Sequence, residues 1–115
     1  HGEIYPDRVI FIRRKTMSAI AELSLFPVDK GESVSSHVAR AVRIIRKSGL
    51  PPTTGPMGTS FEGDIDSVMN LARSCLEELS RDSSRVYMVL KVDWRKGDEY
   101  RMEKKIISVQ EKTTD

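Results

Sequence analysis

The residues best suited to chemistry lie together in residues 56–64, whose sequence is PMGTSFEGD. Its two glycines and one proline predict a sharp turn, because these residues supply or tolerate the backbone angles that turns require. Two hydroxyl and two carboxyl side chains accompany them, between an extended stretch and an amphipathic helix. Polar groups at a strand end and a helix start can hold a small polar molecule. A tight hairpin followed by a helix cap explains the same residues without any ligand.

The two carboxylates of this segment, Glu62 and Asp64, flank Gly63. Residues two apart in a strand share a face, so the two acids could act together. Asp64 is predicted to cap the following helix, which leaves Glu62 as an acceptor for a cation or an exocyclic amine. Acid–base catalysis would also require a pKa shifted by burial or by charge. One solvated acid beside one helix cap therefore stays open as the alternative.

Other kinds of chemistry lack their sequence signatures. No Cys/His or His/carboxylate set has zinc spacing, and His37, beside Ser36 at a helix start, is interpreted as a rim or packing residue. The chain has no G-x-S-x-G elbow and no phosphate-binding glycine motif. The single cysteine, Cys75, falls on an apolar helical stripe and is predicted to be buried and inert. We therefore expect no catalytic residue, no metal and no cofactor.

Composition favours one ordinary globular domain. The chain has 115 residues, 38% hydrophobic and 31% charged, with a net charge of +2. This charge disfavours a dedicated nucleic-acid binder, and Phe26 and Tyr87 alone make a weak aromatic platform for RNA. No apolar run approaches the ~20 residues that cross a bilayer. We expect a cytoplasmic protein with neither nucleic acid nor membrane as a partner.

The first residues differ from the rest of the chain. Residues 1–16 hold four basic side chains around the apolar run Val9–Ile12, and Met17 precedes a clean strand pattern. We interpret residues 1–16 as an extension or leader and residues 17–115 as a single domain. The apolar run could still add an edge strand to that domain.

Hydrophobic periodicity predicts four strands and three helices. They are a strand over 18–28, a helix over 34–48, two short extended pieces within 53–64, a helix over 65–80, a strand over 85–94 and a helix from Asp98 or Glu99. Ser33 or Ser35 is the predicted cap of the first helix, and Gly49 its stop. The predicted apolar stripe of the second helix is Ile65, Val68, Met69, Ala72, Cys75, Leu76 and Leu79.

The order βαββαβ followed by a helix predicts an α+β fold of the ferredoxin-like kind. One sheet face, with Ala19, Ala21, Leu23, Leu25, Val86, Met88, Leu90 and Val92, is expected to lie under the first two helices. The other face carries Ile20, Glu22, Ser24, Phe26, Tyr87, Val89, Lys91 and Asp93. Because this mixture is too apolar for an idle surface, we expect another subunit to cover it.

Five segments resemble one known family. They are AELSLFP at 21–27, SVSSHVA at 33–39, GPMGTSFEGD at 55–64, RVYMVLKVD at 85–93 and residues 105–112. In this order they resemble the small thiamine-binding proteins once grouped as an uncharacterised family. The resemblance implies a ferredoxin-like fold, tight dimers or tetramers built through sheet contacts, and binding of thiamine or its pyrimidine part without established catalysis.

Thiamine combines an aminopyrimidine, a cationic thiazolium and a hydroxyl tail. With the resemblance, the residue inventory assigns Glu62 as acceptor or charge partner, Met57 as ring contact, and Thr59 and Ser36 as orienting hydroxyls. Thr54 is a further hydroxyl candidate, and Asp93 a charge candidate on the other sheet face. His37 stands where the family is expected to carry an aromatic residue such as tyrosine.

Three classes of function remain open at this stage. The first is a non-catalytic binding module for thiamine or a related aminopyrimidine. The second is an oligomeric scaffold whose turn only shapes a hairpin, and the third is an enzyme acting on a thiamine-related compound with Glu62 as general base. Ligand affinity separates the first class from the second, and product formation that depends on Glu62 identifies the third.

Overall fold

The computed structural model of the protein describes residues 17–31, 34–96 and 101–113. The predicted leader at 1–16, the candidate cap Ser33 and the predicted start of the third helix at Asp98 or Glu99 lie outside the described residues. The elements are β1 (Met17–Pro27), α1 (Ser35–Lys47), β2 (Thr53–Thr54), β3 (Thr59–Gly63), α2 (Ile65–Ser80), β4 (Val86–Lys96) and α3 (Arg101–Lys112). This order confirms the predicted sequence of elements.

The four strands form one antiparallel sheet in the order β2-β3-β1-β4. Strand β1 is central and pairs Leu23 with Thr59 of β3 on one side and with Leu90 of β4 on the other. The first and last strands are therefore neighbours, which is the ferredoxin-like arrangement that the sequence predicts.

The core lies between one sheet face and the helices α1 and α2. Its buried apolar side chains are Ala19, Ala21, Leu23, Leu25, Ala41, Ile45, Phe61, Val68, Leu71, Ala72, Cys75 and Leu79. The alanines of β1 are small, so α2 can pack closely against the central strand. The sheet face under these helices is called the helix face below, and the opposite one the open face.

Helix α2 begins and ends where the sequence predicts. The Asp64 carboxylate is its N-cap and accepts hydrogen bonds from the Ser67 N–H at 3.1 Å and the Ser67 hydroxyl at 2.6 Å. This satisfies one of the free N–H groups of the first turn. The predicted stripe is partly wrong, however, because Met69 is exposed and Leu71 takes the buried position. Leu71 lies three residues after Val68, which is equally compatible with a helical stripe.

Helix α1 differs from the prediction at its start. The N-cap is Val34, which offers no side-chain cap, and Ser35 is already the first helical residue. Its hydroxyl therefore does not occupy the capping position, and the Val34 carbonyl accepts the first helical bond from the Val38 N–H at 2.9 Å. At the other end Gly49 adopts a φ of +89°, which confirms the predicted glycine stop.

Strand β4 extends further than the sequence predicts and is less buried. Val86, Met88 and Leu90 pack against the core, but Val92 and Trp94 on the same face are exposed. Directly opposite them on β1 stand Ala21 and Ala19, which are too small to cover them. The prediction that Val92 lies beneath the helices is therefore wrong.

Helix α3 approaches the open face. Lys105 of α3 forms an ion pair with Asp93, whose cross-strand partner is Ile20, and α3 also contacts β1 and β3. The same chain thus covers part of the face that the sequence analysis assigned to another subunit. Ile106, Ile107 and Val109 of α3 are exposed among its charged and polar residues.

Arg40 joins α1 to the end of α2. Its guanidinium donates to the Glu78 carboxylate and carbonyl at 3.1 and 2.7 Å, and to both Asp82 oxygens at 3.0 and 2.9 Å. Hydrogen bonds from Arg81 and Arg40 lower the pKa of Glu78, and the bond from Arg40 lowers the pKa of Asp82. A fork of planar donors suits paired carboxylates geometrically.

We expect this cluster of Arg40, Glu78 and Asp82 to make the free energy of unfolding depend on pH. Because both folded-state pKa values are depressed, the stabilisation is fully present above the unfolded pKa of about 4 and is lost as pH falls through the folded values. Arg40→Met should lower the free energy of unfolding at neutral pH and reduce its loss between about pH 5 and 2. Urea unfolding at several pH values measures this. Arg73→Met, which removes only an exposed ion pair with Glu77, is the control. Parallel pH profiles for Arg40→Met and the parent protein would contradict the prediction.

Candidate functional site

A pocket of about 250 Å³ lies at one end of the helix face, between α1 and the β2–β3 hairpin. Three parts of the chain form it, and their apolar side chains make most of its wall. They are residues 23–26 of β1, the α1 side residues Val34, Val38, Ala41, Val42 and Ile45, and residues 54–59 of the hairpin. The pocket thus contains residues 56–59 of the segment 56–64 that the sequence analysis singled out.

The hairpin turns within four residues. The Gly55 N–H donates to the Gly58 carbonyl at 2.9 Å, which closes a turn with Pro56 and Met57 at its tip. Proline suits this place because its fixed φ matches the first central position of a turn. Met57 is 81% exposed and forms part of the pocket mouth. A flexible thioether at this position can adapt to the face of a ring.

Position 58 requires glycine because the hairpin backbone approaches strand β1 closely there. A Cβ placed there would lie 3.1 Å from the Leu23 carbonyl oxygen and 3.1 Å from Glu22 Cγ. The carbonyl cannot move without shifting β1, so a side chain at this position would displace the hairpin or the strand by a few tenths of an ångström. At Gly55, by contrast, the nearest atom would be 3.6 Å away, which is an ordinary contact.

Two predicted hydroxyls meet at the pocket. Thr54 and Thr59 are cross-strand partners and both line it, Thr59 being 5% exposed. Within the described part of the chain, neither side-chain hydroxyl forms a hydrogen bond. Each can therefore donate to and accept from a ligand without losing an internal bond.

The other predicted site residues lie elsewhere. Alternation along β3 puts Glu62, the partner of Ile20, on the open face, and Asp93 is there as well. Ser36 is exposed on the first turn of α1, and His37 lies near Asp82, so neither lines the pocket. The structure brings together Thr54, Met57 and Thr59, and separates them from the remaining candidates.

The open face carries a charged half and an apolar half. Lys91 forms an ion pair with Glu22 at 3.1 Å, near the Lys105–Asp93 pair. Phe26 and Tyr87 pack with ring centroids 5.7 Å apart and are joined by Val89. Glu62 lies among the charged residues, so its surroundings are those of a surface network.

Sequence reasoning missed two features of the pocket. It singled out no residue of α1 for the pocket except Ser36 and His37, but Val34, Val38 and Val42 are half-buried and form the pocket wall. It also gave no role to Glu22, which lies outside the pocket lining but beside its residue Gly58. The valines recur every four residues, beside the deeper positions Ala41 and Ile45, so their spacing offered a signal.

Cys75 does not line the pocket. Its thiol lies in the core and approaches the Ala41 carbonyl oxygen at 3.7 Å. Burial raises the pKa of this thiol to about 11, so it is protonated at neutral pH. This confirms the predicted burial and disfavours a nucleophilic role. Among the described residues, no group of three His, Cys, Asp or Glu side chains could hold a metal ion. None of the described helices is long and apolar enough to span a membrane.

Fold and pocket together define a ferredoxin-like α+β protein with a small, mostly apolar pocket beside its first helix. A family model described as "Thiamine-binding protein" matches residues 21–110. The UPF0045 protein MJ1052 of Methanocaldococcus jannaschii is 35% identical over 103 residues, which make up 90% of this chain and 99% of that protein. The UPF0045 protein MT1949 of Mycobacterium tuberculosis is 38% identical over 95 residues, covering 82% and 93%. The chain therefore belongs to the thiamine-binding protein family.

Solved structures agree with this membership. The crystal structure of MJ1052 superposes with a TM-score of 0.76 and covers 82% of this chain and 97% of that one. A candidate thiamine biosynthesis or salvage protein from Thermotoga maritima has a TM-score of 0.71 at 20% identity, covering 80% and 98%. At 20% identity, the similarity to the Thermotoga maritima protein supports the shared fold alone.

The close approach at Gly58 makes a stability prediction. Gly58→Ala should lower the free energy of unfolding by about 1–3 kcal/mol, because overpacking against a fixed carbonyl displaces the hairpin. Gly55→Ala in the same turn is the matched control and should change it by less than about 0.5 kcal/mol. Urea unfolding followed by circular dichroism measures both. Equal stability of the two variants would show that the hairpin does not press on β1 as described.

Proposed function

We propose that this protein binds thiamine or a related aminopyrimidine without transforming it, and that the pyrimidine ring enters the pocket between α1 and the hairpin. The family supports the ligand, because its model is described as thiamine-binding and matches most of the chain. The observation that carries the placement is the pairing of Thr54 and Thr59 in a mostly apolar wall. An aromatic heterocycle needs this combination of apolar surface and a few convergent polar groups.

The volume of the pocket favours binding of one ring of thiamine over enclosure of the whole molecule. About 250 Å³ falls slightly below the ~300 Å³ at which pockets for drug-sized ligands begin. A pyrimidine can lie against Val38 and Val42, with its ring nitrogens and amine within reach of the threonine hydroxyls. Met57 at the mouth is then placed to contact the ring face through its sulfur, a favourable arrangement.

The cationic end is expected to remain at the mouth. No side chain that lines the pocket is charged, and burying an unpaired cation in such surroundings would be costly. In this proposal the thiazolium therefore stays near solvent, past Pro56 and Met57. The prediction that Glu62 pairs with the cation puts the ligand on the open face instead, so the two placements can be separated by experiment.

The same lining supports binding over catalysis. None of the side chains around the pocket titrates between pH 4 and 10, so the pocket itself offers no proton donor or acceptor of ordinary pKa. A ligand held there would be oriented by hydroxyls and apolar contacts alone. We therefore propose a binding protein and not an enzyme.

Isothermal titration with thiamine, its pyrimidine half and its diphosphate tests this proposal. Thr59→Val and Thr54→Val should each weaken thiamine binding about 3–10-fold, because each loses roughly one hydrogen bond. Thr53→Val is the matched control, since it neighbours Thr54 but pairs with Ser60 and so belongs to the open face. Its affinity should remain that of the parent protein.

The other possible results distinguish a ligand site on the open face, absence of ligand binding and an enzyme. Unchanged affinity in Thr54→Val and Thr59→Val together with a loss in Glu62→Gln would move the ligand to the open face. Absence of heat with all three compounds, for folded and ligand-free protein, would refute the proposed function itself. Conversion of the ligand during incubation, followed by chromatography, would show an enzyme.

We further propose that a second copy covers the open face and makes the protein a homo-oligomer. Phe26, Tyr87 and Val89 form an exposed apolar patch there, and Ile106, Ile107 and Val109 of α3 are exposed as well. Contiguous apolar surface of this kind commonly marks an association site. The charged residues beside the patch can give the contact its orientation.

Replacing one aromatic residue tests this assembly. Tyr87→Asp should weaken self-association at least tenfold, because a charge would be desolvated within the contact. Met69→Asp is the control, since Met69 is similarly exposed but lies on α2, away from the open face. Sedimentation velocity over a range of concentrations measures both. Equal association of the two variants would exclude the open face as the contact.

A further inference from the structure

The pairing between β1 and β3 ends before β1 itself ends. Leu23 pairs with Thr59, and no further pair follows, although β1 continues beside β4 to Pro27. If the β1–β3 register continued, Leu25 would face Met57. Met57 instead lies at the tip of the hairpin turn and is 81% exposed. The sheet therefore has a gap beside Leu25, at the place where the pocket lies.

The backbone groups of Leu25 point into this gap. The Val28 N–H donates to the Arg85 carbonyl at 2.8 Å, so the backbone groups of Val28 point to β4. Directions alternate along an antiparallel strand, so those of Phe26 also point to β4 and those of Leu25 point away from it. Leu23 has the same direction as Leu25 and uses it to pair with β3. Among the described residues, no hydrogen bond takes up the N–H or C=O of Leu25 on this side.

This free edge is one residue long. Leu23 is already paired on one side of it, and on the other side the next residue of the same direction is Pro27, which has no N–H. A peptide that adds to a sheet needs several such residues in a row, because its affinity comes from repeated main-chain bonds. Leu25 is 6% exposed and lines the pocket, so its free groups face the pocket volume. Buried backbone groups are nearly always paired, so the gap suits a small ligand that supplies the partner.

We propose that the N–H and C=O of Leu25 form a fixed donor–acceptor pair that recognises the amino edge of a 4-aminopyrimidine. The N–H donates to the ring nitrogen next to the amine, and the C=O accepts from the amine itself. An extended strand residue carries both groups on the same side, as this contact requires. The proposal rests on the proposed function, because an aminopyrimidine must first enter the pocket, and it adds the group that selects the amine.

Fixed polarity distinguishes these backbone groups from the threonine hydroxyls. A hydroxyl both donates and accepts and can rotate, so Thr54 and Thr59 accommodate an amine or a carbonyl oxygen alike. The N–H of Leu25 can only donate, and its C=O can only accept. In a 4-oxopyrimidine the exocyclic oxygen accepts and the adjacent ring nitrogen carries a hydrogen, so both contacts become repulsive. Turning the ring over would restore the pairing but would direct the thiazolium from the mouth toward the uncharged pocket wall.

Hydrogen exchange followed by NMR tests whether the edge is free. In the ligand-free protein the Leu25 amide should exchange at least about 100-fold faster than the amides of Leu23 and Phe26, which the sheet holds. Saturating thiamine should slow the Leu25 amide by a larger factor than the other two. A Leu25 amide as protected as that of Leu23 without ligand would overturn the proposal, because the edge would already be paired. Thiamine binding without added protection of Leu25 would overturn it as well.

Titration with thiamine and with its analogue that carries an oxygen in place of the 4-amine tests the selection. The oxo analogue should bind at least about 30-fold more weakly, because two buried contacts turn repulsive. Both compounds share the thiazolium, so its contribution cancels in the ratio of the two dissociation constants. Thr54→Val and Thr59→Val are the controls, since each should weaken both compounds alike and leave that ratio unchanged.

The remaining results separate this proposal from the proposed function. Thiamine binding with equal affinity for the oxo analogue would overturn the role of Leu25 and leave the binding function intact. A preference for the amine that disappears in Thr54→Val or Thr59→Val would assign the selection to the hydroxyls instead. Absence of thiamine binding to the folded, ligand-free protein would refute the binding function and the role of Leu25 together.

Discussion

The register of strand β1 determines most of this structure, because both β3 and β4 hydrogen-bond to it. Ala19, Ala21, Leu23 and Leu25 point to the helices, and Ile20, Glu22, Ser24 and Phe26 to the open face. A shift of one residue would exchange these two sets and expose the core. The same pairing holds Leu23 beside Thr59 and so presses the hairpin against the strand. Pocket wall, apolar patch and charged network all depend on this one alignment.

The sequence predicted elements well wherever a local chemical signal coincided with tertiary packing. Residues 65–80 have a capping aspartate and a regular stripe, and the helix occupies those residues. The predicted α1 cap and the predicted burial of Met69 were wrong. Serine occurs at two positions near the start of α1, and both satisfy the local rule for a helix cap. A methionine beside an apolar stripe likewise satisfies the local rule for a buried position. Val92 was misplaced because strand alternation gives the face of a residue but not the length of the helix above it.

The candidate site shows the same limit. Thr54, Met57 and Thr59 line the same pocket, since a hairpin keeps residues that are near in sequence near in space. Glu62 was grouped with them by sequence proximity, yet it lies three residues after Thr59, and an odd separation in a strand means opposite faces. That separation was available in the sequence. The depth of the pocket was not, because it depends on how far the valines of α1 stand from β1, and no local pattern encodes that distance.

The candidate pocket and the exposed apolar patch of the open face meet at strand β1. The pocket is lined by β1, α1 and the hairpin, with no contribution from β4. Phe26 of β1 belongs to both surfaces, because it lines the pocket and packs against Tyr87 in the apolar patch. Any contact that Phe26 makes on the open face therefore also bears on the pocket wall.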